Sequence, residues 1–279
     1  MLRICTFSKD RPAQLRLLLE SVEKHLPNTP ILNTVIYKAS NTEYQIGYDK
    51  VIREFQTVEF VPEENIYGQT LDIFLESVCP YGSFLCDDQI FYRTPSVCPL
   101  EAIADIEDSL GKSLCCFSMR LGSHTRMADY FTNTYQPALQ TLQLLKLGKE
   151  NLLVWPWNLY SPATDYGYPL SVSGHIYQMG FLVQMLSNMP KWNNPNLLEG
   201  VWQTLLSSTP PFIASYENSI VFNNPANRVS DMSGCPYAGN TQKEFNDKFL
   251  SGKVLDLQFY ENQEIKGCHH YVGDSWVDG

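Results

Sequence analysis

A chain of 279 residues, 44% hydrophobic and 18% charged, can bury a sizeable core in one large domain or two small ones. Its formal net charge of −10, without a dense Lys/Arg run, speaks against a general nucleic-acid binder. No stretch approaches the roughly 20 apolar residues of a membrane span. Residues 1–7 are too short, and too polar beyond Phe7, for a signal peptide, so a cytoplasmic protein is expected.

Residues 2–7 read as a strand that ends at Ser8-Lys9-Asp10-Arg11-Pro12, where Asp10 could cap a helix and Pro12 fill its first turn. Leu15, Leu17, Leu18, Leu19, Val22 and Leu26 then give a helical apolar face. Strands are expected over 31–37, 57–61, 83–85 and 113–119, with helices over 44–55, 70–78 and 100–110. This alternation predicts an α/β fold, a Rossmann-like and mostly parallel sheet with helices on both faces.

After Arg120 the pattern is less regular. Helices are expected over 136–147, 176–186 and 196–206, a strand pair over 212–215 and 219–222, and a late helix over 245–250. The chain therefore divides softly into 1–120 and an α-rich 121–279, expected as one compact unit because no Gly/Ser- or Pro-rich linker separates them. Eight cysteines, among them Cys86, Cys235 and Cys268, form no C-x-x-C pair, so free buried thiols are the default.

Open parallel sheets bind ligands at the carboxyl ends of their strands. Two polar segments fall there: 6–11 and Cys86-Asp87-Asp88-Gln89. Adjacent carboxylates after an apolar strand are costly unless paired or bound to a cation, and Mg2+ or Mn2+ shared with substrate phosphates would satisfy them. A solvated Asp-Asp turn is the plainer alternative.

Ile4 to Pro12, followed by its amphipathic helix, resembles the opening of A-type glycosyltransferases, which bind nucleotide-diphospho-sugars. Phe84-Leu85-Cys86-Asp87-Asp88-Gln89-Ile90-Phe91 resembles their Asp-x-Asp segment, although a strict Asp-x-Asp is absent and Cys86 stands at the first Asp position in one alignment. The resemblance implies a UDP- or GDP-linked sugar donor, a hydroxyl acceptor such as a carbohydrate, and metal-assisted transfer. It places Thr6, Phe7, Ser8 and Asp10 at the base and ribose, Arg11 at phosphate, Lys38 in the base pocket and Asp87 towards the sugar or ribose. Asp88 is the first choice as metal ligand, joined by Asp87 and by His269 or His270 returning from the C-terminal end.

An inverting transferase needs a carboxylate to deprotonate the acceptor. Glu199 is preferred and Asp165 is second; retaining chemistry would need neither. Arg120 could neutralise phosphate or sit in a salt bridge. Gly174 would allow close backbone contact with donor sugar, and His175 reads as a capping residue. The aromatic group Trp155, Trp157, Tyr160, Tyr166 and Tyr168 suits a sugar platform or a junction core. A nucleotidyltransferase, or a carbohydrate- or nucleotide-binding protein without chemistry, are the alternatives; the loop after the first strand lacks the glycines of a nucleotidyltransferase. The acceptor, the stereochemistry and the oligomeric state are not legible.

Overall fold

A computed structural model describes residues 1–111, 114–141, 143–229 and 237–279; Cys235 lies outside them. The first part runs β1 (Leu2–Lys9), α1 (Pro12–His25), β2 (Ile31–Lys38), α2 (Thr42–Glu54), β3 (Glu59–Pro62), α3 (Ile66–Leu75), β4 (Tyr81–Cys86), β5 (Gln89–Phe91), α4 (Pro99–Leu110) and β6 (Cys116–Ser118). The second runs β7 (Met127–Asp129), β8 (Thr134–Tyr135), β9 (Gln143–Leu147), β10 (Glu150–Pro156), β11 (His175–Gln178), α5 (Met179–Ser187), α6 (Pro195–Trp202), β12 (Phe212–Tyr216), β13 (Val221–Asn223), α7 (Gln242–Leu250), β14 (Lys253–Leu255), α8 (Leu257–Glu261) and β15 (Trp276–Asp278).

Among the described residues, nine strands form one sheet in the order β3-β2-β1-β4-β11-β6-β12-β10-β9. Only β11 and β10 run against the others, so the sheet is mostly parallel, as expected. Strands from before and after residue 120 share it. Strand alternation sorts the core onto two faces. Leu2 and Ile4 of β1 point to the cluster that holds Leu15 and Leu18 of α1 and Tyr48 and Val51 of α2. Cys5 and Phe7 point to the other, with Phe74 of α3, Leu182 of α5 and Trp202 of α6.

Several local expectations are corrected. The helix expected over 136–147 is absent from the described residues there. β9 and β10 instead form an antiparallel hairpin that turns at Gly148, whose φ is +58°. The leucines of 143–147 favour a helix in isolation, and the pairing with β10 overrides that weak preference. Residues 176–186 start as β11, because Ile176 and Tyr177 pair with Ser83 and Gly82 of β4, and only then become α5. The pair expected at 212–215 and 219–222 is not a hairpin. β12 joins β6 and β10 in the large sheet, whereas β13 leaves it to pair with β5. The part after Arg120 is thus mixed rather than chiefly helical.

Candidate functional site

A cleft of about 930 Å³ opens at the carboxyl ends of β1, β2 and β4. Phe7, Ser8, Lys9 and Arg11 border it after β1, Lys38 after β2, and Cys86, Asp87 and Asp88 after β4. Across it stand Arg120, Asp165, Tyr168, Glu199 and His269. Residues the sequence set more than 100 positions apart therefore meet in one concavity.

The Asp87-Asp88 turn is held from three sides. Asp87 is buried and accepts from the Lys9 backbone N–H at 3.1 Å and from Arg11 Nη1 at 2.8 Å. Arg11 Nη1 also lies 3.7 Å from Asp88 Oδ2. The remaining fork of Arg11 goes to one residue: Nε donates to Asn227 Oδ1 at 2.7 Å and Nη2 donates to the Asn227 carbonyl. Burial opposes charge on Arg11, but Asp87 and then Asp88 more than restore it, so its pKa is raised. Arg11, expected to face phosphate, is mostly committed to binding this turn to the 223–227 loop.

Asn223 completes the frame, donating from Nδ2 to Asp88 Oδ1 at 2.8 Å. β13 lies antiparallel to β5, and Asn223 bridges His269 on its other side. This short ladder carries the C-terminal His269 to the cleft. His269 is exposed at the cleft, and desolvation by the surrounding protein and then Arg120 lower its pKa, so the ring is neutral near pH 7. Arg120 Nη1 donates to His269 Nε2 at 3.4 Å, and Arg120 Nη2 lies 3.6 Å from Asp165 Oδ1. Arg120 keeps its charge with a raised pKa, because Cys268, Asp165 and Glu199 outweigh its desolvation. Glu199 accepts from the Val172 N–H at 3.1 Å and hydrogen-bonds the Tyr168 hydroxyl. Burial, followed by Asp88 and Asp87, pushes the Cys86 thiol well up.

Several other expected residues stand outside the cleft wall. Thr6 is fully buried and donates to Asn33 Oδ1 at 2.9 Å. Asp10 does not cap α1: the N-cap position is Arg11, with no side-chain cap. Asp10, at φ +54°, accepts from Ser40 N at 2.7 Å and Ser40 Oγ at 2.6 Å, which ties the ends of β1 and β2 together. His270 packs against the Tyr130 ring at 4.9 Å and accepts from the Lys266 N–H, so it does not share the cleft with His269. Lys38 borders the cleft and pairs with Glu63 at 2.7 Å. His175 is buried inside β11 rather than capping anything. Of the aromatic group, Trp155 and Tyr166 are core, whereas Tyr168 reaches the cleft. Sequence reasoning missed Asn223 and Asn227; the only signal was the run Asn223-Asn224-Pro225-Ala226-Asn227.

Among the described residues no group of three or more His, Cys, Asp and Glu side chains is placed to hold a metal ion. Asp87 is taken by Arg11. The carboxylate oxygen left for a cation is Asp88 Oδ2, itself 3.7 Å from Arg11 Nη1, and the neutral His269 borders the same cleft. A hard cation bound through one or two carboxylates and completed by phosphate oxygens asks for no more from the protein, so this donor set fits Mg2+ or Mn2+.

No family model matches the chain. It is 26% identical over 299 residues to the bifunctional glycosyltransferase pgtA of Dictyostelium discoideum, a match that covers 95% of this chain and 36% of the relative. The chain thus spans about a third of that protein's length. A crystal structure of S. aureus TarS superposes with a TM-score of 0.49 at 11% identity, over 81% of this chain and 37% of that one. A structure of TarS 1-349 in complex with UDP-GlcNAc gives a TM-score of 0.49 at 11% identity, over 84% and 61%.

Proposed function

We propose that this chain is a glycosyltransferase that moves a sugar from a UDP- or GDP-linked donor to a hydroxyl acceptor. The observation that carries the proposal is the clamped Asp87-Asp88 turn, which faces Glu199 across a cleft at the carboxyl edge of the parallel strands. The similarity to a glycosyltransferase over 95% of the chain supports it. A nucleotidyltransferase fits less well, because the loop after β1 has no glycine to wrap a triphosphate.

Phe7, Ser8 and Lys38 would border the base and ribose, with the diphosphate towards Asp88. Negative charge develops on that diphosphate as the glycosidic bond breaks, and fixed cations aimed at it lower the barrier. Arg120 is such a cation, held by Asp165 and His269. A divalent ion at Asp88, with His269 as second ligand, would supply Lewis-acid stabilisation of the same charge. Glu199, oriented by the Val172 N–H and the Tyr168 hydroxyl, would take the acceptor proton. Asp165 serves better as the counter-ion of Arg120. A cytoplasmic setting suits the free thiols of the described cysteines. No helix among the described residues is long and apolar enough to cross a membrane.

Mass spectrometry of reactions with UDP- and GDP-sugars tests the proposal. Release of nucleoside diphosphate with a glycosylated product, or with free sugar, is expected. Release of pyrophosphate from a nucleoside triphosphate and a sugar phosphate would assign the chain to the nucleotidyltransferases instead.

A further inference from the structure

The cleft continues past the residues that a donor would occupy. Its far end is walled by β7 and the turn into β8, through Ala128, Asp129 and Tyr130. This hairpin is braced next to the proposed chemistry. The Met127 N–H donates to the Lys266 carbonyl at 2.8 Å, which seats the hairpin on the segment leading to His269. Just after β8, Gln136 Oε1 accepts from the Asp165 N–H at 2.9 Å, which fixes the hairpin to the opposite wall. Asp129 Oδ1 accepts from Phe131 N at 2.8 Å and Thr132 N at 3.3 Å, and so shapes the tip.

The tip is aromatic and exposed. Tyr130 and Phe131 are 37% and 40% accessible, against a core that buries most of the large rings. They meet edge to face at 5.5 Å, and His270 backs Tyr130 at 4.9 Å. A backed ring at a cleft rim has a fixed orientation, so it can stack a flat apolar face without a large ordering cost. The nearby polar wall carries the amides Asn193 and Asn194 and the carboxylates Asp165 and Glu199, while its cations are engaged: Arg120 pairs with Asp165 and Arg228 stacks on Tyr237. With a net charge of −10, such an end disfavours an anionic acceptor. A pyranose offers what this surface complements, an apolar C–H face for the rings and hydroxyls for amides and carboxylates.

We infer that the β7–β8 tip is the acceptor subsite, and that the acceptor is a neutral carbohydrate stacked on Tyr130, which Phe131 buttresses edge to face, with a hydroxyl directed at Glu199. The inference rests on the glycosyltransferase proposal for its role, but the binding it asserts is measurable without turnover.

The test is saturation-transfer NMR on the full chain with neutral p-nitrophenyl glycosides of glucose, galactose and N-acetylglucosamine, together with steady-state transfer to the same compounds. The expected result is saturation of the sugar-ring protons. Tyr130→Ala and Phe131→Ala should weaken it and raise the glycoside KM at least about tenfold. Tyr130→Trp should retain it, and the affinity for nucleoside diphosphate should change less than about twofold in all three variants. An unchanged glycoside KM in both alanine variants, saturation confined to the nitrophenyl ring, or transfer to Ser/Thr peptides in place of glycosides would overturn it. Failure of the wild-type chain to bind any nucleoside diphosphate would strike the donor proposal alone. Sugar-ring saturation that disappears in Tyr130→Ala would still stand.

Discussion

Arg11 and Asp87 form a buried ion pair, Nη1 to Oδ1 at 2.8 Å, with side chains 8% and 4% accessible. Removing one partner of such a pair leaves an uncompensated charge in a low-dielectric setting. Arg11→Gln should therefore destabilise the fold by about 3–5 kcal/mol, read as a lower urea midpoint. Arg11→Lys should recover only part of this, because an ammonium cannot reproduce the fork that reaches both Asp87 and Asn227. A variant as stable as the wild type would show that the clamp does not hold the turn.

Glu199 and Asp165 both border the cleft, but their partners differ: the Val172 N–H for one, the Arg120 guanidinium for the other. Glu199→Gln keeps the shape and removes the proton acceptor. It should lower kcat by about 10²–10⁴-fold with KM for donor little changed. Asp165→Asn should act through Arg120, raising donor KM as well. The reverse pattern in steady-state kinetics would exchange the two roles.

All five histidines, His25, His124, His175, His269 and His270, have pKa values below the ordinary 6.5, with burial the largest cause each time. His175 is the extreme, pushed down to about 3 by burial and then by Arg120. The unfolded chain binds these protons below pH 6.5 while the folded chain does not. Their contribution to stability is therefore complete above that pH and falls as pH drops towards 3, by up to about 4 kcal/mol for His175 alone. Thermal melts should decline from pH 7.5 to pH 5, and His175→Phe should flatten that decline. A Tm independent of pH over this range would contradict the neutral buried state.

Gly267 sits where the hairpin meets the C-terminal segment. A Cβ there would lie 2.2 Å from the Met127 carbonyl oxygen, a backbone atom that cannot step aside by rotating. Gly267→Ala should cost about 1–3 kcal/mol, read by chemical denaturation, and should loosen the β7–β8 seat. Unchanged stability would mean the hairpin is not seated on this segment.

Much of the cleft wall after β1 to β4 was legible because its signals are local. Apolar runs alternating with amphipathic helices predicted β1 to β4 in order, and the acid pair after β4 marked the cleft. What sequence could not show is long-range. Nothing near Asp88 announces that Asn223, 135 residues away, donates to it. The β5–β13 ladder that delivers His269 joins three distant segments, and its strands are too short to carry a pattern. Asp10 misled for a physical reason: an Asp two residues ahead of Pro12 lies close to an N-cap position, but here a positive φ turns its carboxylate to Ser40 and Arg11 takes the cap position. The Leu-rich 143–147 segment misled because pairing with β10, not propensity, decides its form.

The central claim is that Asp88 carries the diphosphate site. The direct measurement is calorimetric titration of UDP and GDP, with and without Mn2+, into the wild-type chain and Asp88→Asn. The account predicts micromolar to millimolar binding of at least one nucleotide, strengthened by Mn2+ in the wild type, with the Mn2+ effect lost in Asp88→Asn while the thermal melt persists. Equal binding by both proteins, or no binding by a folded wild type, would contradict it.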